Sequence, residues 1–488
     1  MSSGTMVAVH GSGMFGREMN APGSKYYNKG KFGRLFPTLP PYRLPSGVDD
    51  KAALDKLSEL MREASKKPKQ ENPSIPAGWV FFGQFVDHDI TFDPTSSLER
   101  QNDPESIQNF RTPAIELDNV YGSGPGASPH LYDGFTSKLL VEKLDPSSDR
   151  DDLPRNSQNT ALIGDPRNDE NLVVSQLHVA FLKFHNVCVQ DLLDKQPSLA
   201  NSPEELFERA QQQVRWHYQW IVLHQFLPLI VGQKMVGEIY QGPGKPTGRK
   251  YYNWRHEPFI PVEFGAAVYR YGHAQIPNRM QVNDEFRVGA DVRIPVFAKD
   301  QTGKPDPDDL RGGVRAKRRS VQWRHFFDGL MGESIVPQAS MRIEARLAES
   351  LFDIQVLPPT DPIRQLPLRN LLRGLSFGLP SGQSIARAMC VEPLAPDDLM
   401  DTEELDPLFR FSEATPLWFY ILREAQVQQD GLRLGEVGGR IVAEVIIGLL
   451  EGDRNSFVRA YPKWKPDMGP TPGDFTIQDL LVKAGSAI

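Results

Sequence analysis

The sequence has little cysteine and no apolar run long enough to cross a membrane. Cys188 and Cys390 are its two cysteines in 488 residues, so a disulfide framework is excluded, and neither lies in a Cys-x-x-Cys or Cys/His metal-binding pattern. The longest apolar runs are broken by His, Gln or Glu and fall short of the roughly 20 residues that a transmembrane helix needs. With 39% hydrophobic and 24% charged residues, the composition is typical of a soluble globular protein without a transmembrane segment.

An excess of positive charge is also missing. The chain has 55 Lys and Arg against 62 Asp and Glu, a net charge of -7, whereas nucleic-acid-binding proteins carry a basic footprint. We therefore expect no nucleic-acid partner, and we interpret the basic segment 311–320 as a solvated loop or an anion contact. The first 20 residues lack a basic region followed by an apolar stretch. This predicts no classical secretion signal and a cytoplasmic location by default, with non-classical export as the alternative.

Several common catalytic motifs are absent from the sequence. It contains no His-Glu-x-x-His, no Glu-x-x-His and no Gly-x-Ser-x-Gly, and no glycine-rich phosphate loop follows a strand. These absences disfavour zinc-dependent hydrolases, helical di-iron proteins, α/β-hydrolases and nucleotide-binding folds.

The remaining pattern predicts a mainly α protein with little β structure and much irregular loop, since it has 41 prolines and 40 glycines. We expect an extended N-terminal arm over residues 1–48 and one domain over 49–488. One long helix should begin with Asp165 as N-cap and end before Pro197, and the next should begin at Ser202 with Glu205 completing a capping box. Other helices are predicted over residues 49–67, 79–91, 261–277, 340–352, 367–375, 416–426 and 438–452.

The segment Trp79–Thr91, WVFFGQFVDHDIT, places polar groups inside an apolar helix. Gln84, Asp87 and His88 share one helical face, because they are separated by three or four residues. Asp89 points about 100° away from His88. Burying these groups requires a partner in each direction, such as a cofactor, a metal ion or an ion-pair network. Local charge pairing is the simpler alternative.

Two further helical segments carry one cationic residue or histidine each. In GDPRNDE, Arg167 and Glu170 are three residues apart and share a face, although an exposed ion pair would have the same spacing. In YRYGHAQIP, His273 follows Arg270 by three residues near a helix end, where the helix dipole alone stabilises a histidine. The pair His178 and His185, seven residues apart, is expected to serve packing and hydrogen bonding.

Five ordered motifs together resemble the animal-type haem peroxidase family of the peroxidase-cyclooxygenase superfamily. They are GQFVDHD, LDNVYGS, GDPRNDENLVVSQLHVAFLKFHN, EFGAAVYRYGHAQIP and NLLRGLSFGLPSG, spread over about residues 75–455. The resemblance implies the fold of that family, in which haem b lies between a distal and a proximal helix. Residues 49–488 would then form the catalytic domain.

The resemblance also implies roles around the haem. His88 resembles the distal histidine that moves a proton within the bound peroxide, and Arg167 resembles its cationic partner. Gln84 would contact water or a halide in the same pocket. The remaining haem contacts would be His273 as the proximal iron ligand, Asn370 accepting a hydrogen bond from its other ring nitrogen, and Arg270 and Arg373 at the propionates.

Covalent and metal links follow from the same resemblance. Asp87 and Glu170 match the carboxylates that form ester bonds to haem in this family. Residue 171 is Asn, where some members carry a methionine, so we expect no sulfonium link and weaker chloride oxidation. A calcium ion would be bound by five oxygen ligands, from Asp89, Thr112, the Ala114 carbonyl, Glu116 and Asp118.

The resemblance predicts a peroxidase that reduces hydrogen peroxide while oxidising iodide, bromide, thiocyanate or phenolic donors. One alternative is a fatty-acid dioxygenase of the same superfamily, which places a radical-forming tyrosine three residues before the proximal histidine. Arg270 occupies that position, and Tyr269 and Tyr271 have the wrong spacing. A second alternative is a non-catalytic adhesion or scaffold module, which the presence of both His88 and Arg167 disfavours.

Overall fold

Helices joined by long irregular segments dominate the computed structural model, which describes residues 32–63, 69–92, 109, 111–134, 136–254, 257–301, 303–330, 336–355, 357, 360–399 and 413–486. About 46% of the structure is helical, which confirms the mainly α class. The α-helices are α1 Asp50–Leu60, α2 Gly78–Ile90, α3 Asp118–Tyr121, α4 Gly124–Ala127, α5 Leu172–Lys195, α6 Pro203–Ile221, α7 Leu227–Val231, α8 Gln233–Ile239, α9 Leu366–Ser376, α10 Gly382–Ala388, α11 Pro396–Leu399, α12 Leu417–Gln429, α13 Glu436–Gly452, α14 Phe457–Ala460 and α15 Ile477–Lys483.

Tighter and wider helical turns lie between these helices. The 3₁₀ turns are Pro129–Leu131, Pro166–Asp169, Pro197–Asn201, Val268–Gln275, Trp323–His325 and Glu349–Phe352, and the π turns are Val222–Phe226 and Glu263–Ala267. The strands are β1 Phe32–Gly33, β2 Glu71–Pro76, β3 Glu142–Lys143, β4 Asp151–Asp152, β5 Ile260–Pro261, β6 Arg279–Met280, β7 Ile294–Pro295 and β8 Ala339–Met341. They pair only in twos over the described residues: β1 with β5 in parallel, and β2 with β8, β3 with β4 and β6 with β7 antiparallel.

Helix α2 lies in the core because apolar side chains cover almost its whole circumference. The Phe85 ring stacks on Phe181 of α5 with centroids 4.7 Å apart, and the rings of Phe82 and Trp79 pack against Phe226. Such contacts on several sides fix both the position and the rotation of a helix. The polar groups of α2 are therefore held in defined directions.

The predicted continuous helix from Asp165 is wrong, because the chain makes two separate turns there. The Asp165 side chain accepts from the Arg167 N–H and caps the 3₁₀ turn Pro166–Asp169. Asn171 then caps α5 by accepting from the Val173 N–H. Two strong capping side chains in close succession end one turn and begin another. Among the described helices, α5 alone has the length and hydropathy to span a membrane, and 83% of its most apolar window is buried inside the protein.

Three other predicted helices differ from the structure. Residues 340–352 form the end of β8, an irregular segment and the short turn Glu349–Phe352, because this segment pairs with β2. Helix α1 ends at Leu60, after which Arg62 bridges to Leu347; residues 64–68 are outside the described residues. The segment near residue 261 forms consecutive π and 3₁₀ turns, Glu263–Ala267 and Val268–Gln275.

The capping box predicted at Ser202 is also wrong, since the Ser202 side chain makes no cap hydrogen bond. The helices predicted over 367–375, 416–426 and 438–452 are confirmed as α9, α12 and α13.

Residues 32–48 of the predicted arm pack against the body of the protein. The buried Glu263 carboxylate accepts from the backbone N–H groups of Leu35 and Phe36, at 2.9 and 3.1 Å. The Tyr42 N–H donates to the Leu379 carbonyl at 2.7 Å. This part of the chain is thereby anchored to the π turn that precedes the segment carrying His273. Residues 1–31 lie outside the described residues.

Ion pairs hold most of the arginines in the basic segment 311–320. Arg311 pairs with Asp309, Arg315 with Asp152 and Arg318 with Asp306, at 2.7 to 3.2 Å. The buried Arg319 donates to the carbonyls of Pro307 and Asp309. These ion pairs and hydrogen bonds stabilise the irregular segment 311–320.

Candidate active site

A cavity of about 830 Å³ lies between α2 and the turn Val268–Gln275. Most of the residues predicted to surround haem line it, namely Gln84, Asp87, His88, Arg167, Glu170, Arg270 and His273. Arg373 lines a smaller cavity of about 120 Å³ that shares Asp87, Arg167 and Arg270 with the first. The fold thus brings residues from three distant parts of the sequence to one cavity.

His88 is a buried, neutral imidazole at the wall of this cavity. Its Nδ1 lies 2.7 Å from Oδ1 of Asn168. Burial, reinforced by the positive charge of Arg167, lowers the pKa of His88 to about 4. A neutral ring can accept a proton from a molecule in the cavity, which is the requirement for a general base.

Arg167 is fixed beside His88 by a buried carboxylate. Its Nε and NH2 groups donate to the two oxygens of Asp165 at 3.1 and 2.8 Å, and NH2 also donates to the His88 carbonyl at 3.2 Å. Arg111 donates to the same Asp165 carboxylate at 2.5 Å. Burial opposes the ionisation of Asp165, but the two guanidinium charges outweigh it and hold its pKa well below the usual range. A permanent cation therefore stands at the cavity wall.

His273 faces the cavity from the 3₁₀ turn that follows the π turn. Burial, with a contribution from the charge of Arg270, lowers the pKa of His273 to about 3, so the ring is neutral, as a metal ligand must be. Asn370 of α9 contacts it, with 2.8 Å between Asn370 Nδ2 and His273 Nδ1. The predicted contact is present, but the amide presents its nitrogen and donates. Iron ligation through Nε2 requires a 180° rotation of this amide, so that Oδ1 accepts from Nδ1–H.

Two carboxylates predicted to bind haem covalently line the same cavity. Asp87 is held by the Thr91 hydroxyl, which donates to its Oδ1 at 3.0 Å. Burial raises the pKa of Glu170, while the nearby Arg167 charge opposes the shift. Both side chains are therefore placed toward the space that a cofactor would occupy.

Asp89 points away from the cavity, as its helical position predicts, and reaches the loop before α3. Its carboxylate accepts from the N–H groups of Glu116 and Asp118 at 3.0 and 2.8 Å. Burial and the neighbouring Asp118 carboxylate raise the pKa of Asp89 to about 8. Thr112 and Ala114 belong to the same loop and are linked by a 2.8 Å backbone hydrogen bond. Within the described ranges, no three His, Cys, Asp or Glu side chains converge in a metal-binding geometry.

Sequence reasoning missed three residues that support this site. Asp165 is assigned only a capping role by its spacing, and Arg111 none, yet together they hold Arg167. Asn168 contacts both His88 and His178, at 2.7 and 2.9 Å. Regular helical periodicity turns Asn168 about 100° from Arg167 and gives no sign of this contact. Recognition of Asn171 as a second N-cap would have indicated the 3₁₀ turn that produces it.

A cavity with a neutral histidine on each side and arginines at its edge is one arrangement that suits haem, since a histidine can bind the iron and arginines can pair with the propionates. The chain belongs to the animal haem peroxidase family, whose sequence profile matches residues 96–455. The matched range begins after α2, which carries Gln84, Asp87 and His88. The roles proposed for these three residues are therefore supported by the geometry of the cavity.

Individual relatives are similar to the chain in sequence, and solved structures are similar to it in fold. The chain is 23% identical over 373 residues to the chorion peroxidase of Drosophila melanogaster, covering 74% of this chain and 42% of that protein. It spans less than half the length of the curated relatives it matches. Its fold is similar to peroxidase A from Dictyostelium discoideum, with a TM-score of 0.65, 14% identity and 98% of both chains covered. It is also similar to the fatty acid alpha-dioxygenase of Arabidopsis thaliana, with a TM-score of 0.59, 16% identity and 94% and 76% of the two chains covered. These likenesses confirm the predicted fold class.

Proposed function

We propose that the chain is a haem-dependent peroxidase that reduces hydrogen peroxide and oxidises small anionic or aromatic donors such as iodide, bromide, thiocyanate or phenols. The observation that carries the proposal is the placement of His88 and Arg167 in one cavity with His273. The residues present fit haem: the cavity volume suits a cofactor, the histidines are neutral, and Arg270 and Arg373 offer charges for two propionates.

Haem, when bound through His273, supplies an iron that accepts oxygen from peroxide and stores oxidising equivalents. The protein supplies the proton transfer. His88 would take a proton from one oxygen of the peroxide and return it to the oxygen that leaves as water. Arg167, held by Asp165, stabilises the negative charge that develops on that leaving oxygen. Gln84 lines the cavity one helical turn before His88 and would orient water or a halide there.

We further propose that Asp87, Glu170 or both form ester bonds with haem methyl groups. The proposal is supported by their position in the cavity wall. Each ester would form when peroxide removes two electrons and a proton from a haem methyl group, after which the carboxylate oxygen bonds to that carbon. Haem that stays with the polypeptide during acid-acetone extraction would support the ester. Complete extraction after peroxide treatment would contradict it.

A calcium ion bound by Asp89, Thr112, Ala114, Glu116 and Asp118 is the second proposed cofactor. Its support is the burial of Asp89 beside Asp118, since a cation between such carboxylates would offset their repulsion. Calcium analysis of the purified protein before and after dialysis against a chelator tests the site. An Asp89→Asn variant should lose the metal.

Replacement of His88 by Ala tests the proposed reaction. Haem should remain bound through His273, while the rate of reaction with peroxide falls about 10² to 10⁴-fold, the range for loss of a general base. His185→Ala is the matched control, because His185 is also buried but lies outside the cavity, where its Nε2 donates to the Ser137 carbonyl and its Nδ1 accepts from the Tyr121 hydroxyl. An unchanged rate in His88→Ala would overturn the proposal.

Fatty-acid oxygenation is the second candidate function. The likeness to an alpha-dioxygenase fold and the presence of Tyr269 and Tyr271 in the cavity wall favour it. Against it, Arg270 stands three residues before His273, and the Tyr269 hydroxyl donates to the Gly83 carbonyl. Oxygen consumption on addition of a long-chain fatty acid, without peroxide, would support the dioxygenase.

A further inference from the structure

The Asn168 side chain lies between two buried imidazoles. Its Oδ1 is 2.7 Å from Nδ1 of His88, and its Nδ2 is 2.9 Å from Nδ1 of His178. His88 is 5% exposed, and Asn168 and His178 are 0% exposed. Hydrogen bonds in such dry surroundings are strong, and losing one is costly. Of these three residues, the mechanism proposed above uses only His88.

The direction of these hydrogen bonds decides where each ring carries its proton. With the Asn168 amide oriented as the structure has it, its oxygen faces His88 and can only accept, so His88 donates from Nδ1 and its Nε2 keeps a lone pair. An amide nitrogen can only donate, so His178 accepts at Nδ1 and carries its proton on Nε2. His88 can act as a general base only through Nε2, because its Nδ1 is hydrogen-bonded to Asn168. The tautomer with the proton on Nδ1 leaves Nε2 able to accept a proton.

We propose that Asn168 is a positioning residue that selects the tautomer of His88, and that His178 holds the Asn168 amide in the required orientation. The inference rests on the proposed peroxidase function. Rotation of the amide by 180° would present its NH₂ group to Nδ1 of His88 and move the ring proton to Nε2. The lone pair that accepts the peroxide proton would then be lost.

The surroundings of the two partners favour a fixed arrangement. The Asn168 N–H donates to the Asp165 carbonyl at 3.1 Å within the 3₁₀ turn. The His178 ring lies edge-on to Phe85, with centroids 6.2 Å apart. Nε2 of His178 has no hydrogen-bond partner among the described residues, so Nδ1, 2.9 Å from Asn168 Nδ2, is the ring nitrogen through which His178 would fix the amide. The 3₁₀ turn Pro166–Asp169, which carries Asn168, and α5, which carries His178, both pack against α2.

The tautomer can be measured directly in the haem-loaded protein. Ring nitrogen shifts and couplings would be recorded by NMR on ¹⁵N-histidine-labelled protein in the diamagnetic ferrous carbon monoxide complex, with single-histidine variants for assignment. We expect a proton on Nδ1 of His88 and on Nε2 of His178. The opposite pattern would overturn the proposal without any variant having to fold.

Variants at position 168 test the consequence for proton transfer. Hydrogen cyanide loses a proton when it binds ferric haem, so its association rate reports on the same base without turnover. Asn168→Leu should slow cyanide binding and the peroxide reaction by about ten- to a hundredfold, as loss of a partner that orients a histidine does at metal sites. Asn168→Asp should stay within about threefold of the parent protein, because a carboxylate can only accept from Nδ1–H.

Asn72→Leu is the matched control for burial. Asn72 is also 0% exposed, but its amide donates to the backbone carbonyls of Gly431 and Leu432 and hydrogen-bonds to no histidine among the described residues. Cyanide rates for Asn168→Leu equal to those of Asn72→Leu, or an Asp variant as slow as the Leu variant, would contradict the proposal. A parent protein that binds no haem would instead contradict the proposed function, so the two failures are distinguishable.

Discussion

The proposed role of His88 as a base requires a neutral ring, and burial sets the pH range over which the ring is neutral. The pKa of His88 is lowered to about 4, whereas the pKa of an exposed histidine is about 6.5. A lowered pKa keeps the neutral form populated as the pH falls, until the pH reaches the folded-state value. The residue is thus neutral throughout the physiological range because of its location.

We predict that the rate of the peroxide reaction is level from about pH 7 to about pH 5 and falls as the pH drops through about 4, where His88 gains its proton. Stopped-flow pH jumps on the haem-loaded protein measure this rate before acid unfolding. A fall centred near the ordinary histidine pKa of about 6.5 would contradict the assigned burial effect.

Asp165 is the residue that makes Arg167 tolerable in a buried wall. It is fully buried and pairs with two guanidinium groups, those of Arg111 and Arg167. Asp165→Asn leaves these two charges without their counter-ion, so we predict a loss of about 3 to 5 kcal/mol in the free energy of unfolding. Urea denaturation monitored by circular dichroism measures it.

Glu285→Gln is the matched control for the ion-pair prediction. Glu285 pairs with Arg150 on the surface, where the two side chains are 54% and 30% exposed. The control should lose less than about 1 kcal/mol. Equal losses in the two variants would show that the Asp165 network has no special role in stability.

At the scale of elements, the sequence predicted best where a segment's own apolar periodicity decides its structure. Helices α2, α9 and α13 are of this kind. Residues 340–352 have a helical pattern but pair with β2, a contact that local periodicity does not contain. The orientation of Asn168 was equally hidden, because it depends on a 3₁₀ turn and on His178 in the following helix.

Gly164, just before the segment that carries Arg167, lies against the backbone of α3. A Cβ atom at this position would lie 2.6 and 2.7 Å from the carbonyl oxygens of Asp118 and Asn119. Because these are backbone atoms, either the proposed calcium loop or the segment carrying Arg167 would have to move. We predict that Gly164→Ala lowers the free energy of unfolding by about 1 to 3 kcal/mol, the cost of overpacking. It should also weaken calcium binding, measured by titration calorimetry.

Gly126, seven residues after Asn119, offers a control. A Cβ atom there has nothing within 4 Å and the backbone is not in a left-handed conformation. Gly126→Ala should therefore not lower the free energy of unfolding, and it should leave calcium binding unchanged. Indistinguishable behaviour of the two variants would contradict the close approach at Gly164.

At the scale of the whole molecule, the fold brings a candidate base, a cation and a candidate iron ligand from positions 88, 167 and 273 to one cavity. The family relationship extends over residues 96–455, and the geometry of α2 completes the site beyond that range. A non-catalytic scaffold would need none of these residues in register. Haem binding is consequently the claim on which every other role depends.

The most direct measurement is the absorption spectrum of the purified protein after haem supplementation and gel filtration, followed by addition of one equivalent of hydrogen peroxide. The account predicts a Soret band that co-elutes with the protein, is weakened in His273→Ala and shifts rapidly on peroxide addition in the parent protein but slowly in His88→Ala. A parent protein without a Soret band, or one whose band does not respond to peroxide, would contradict the account.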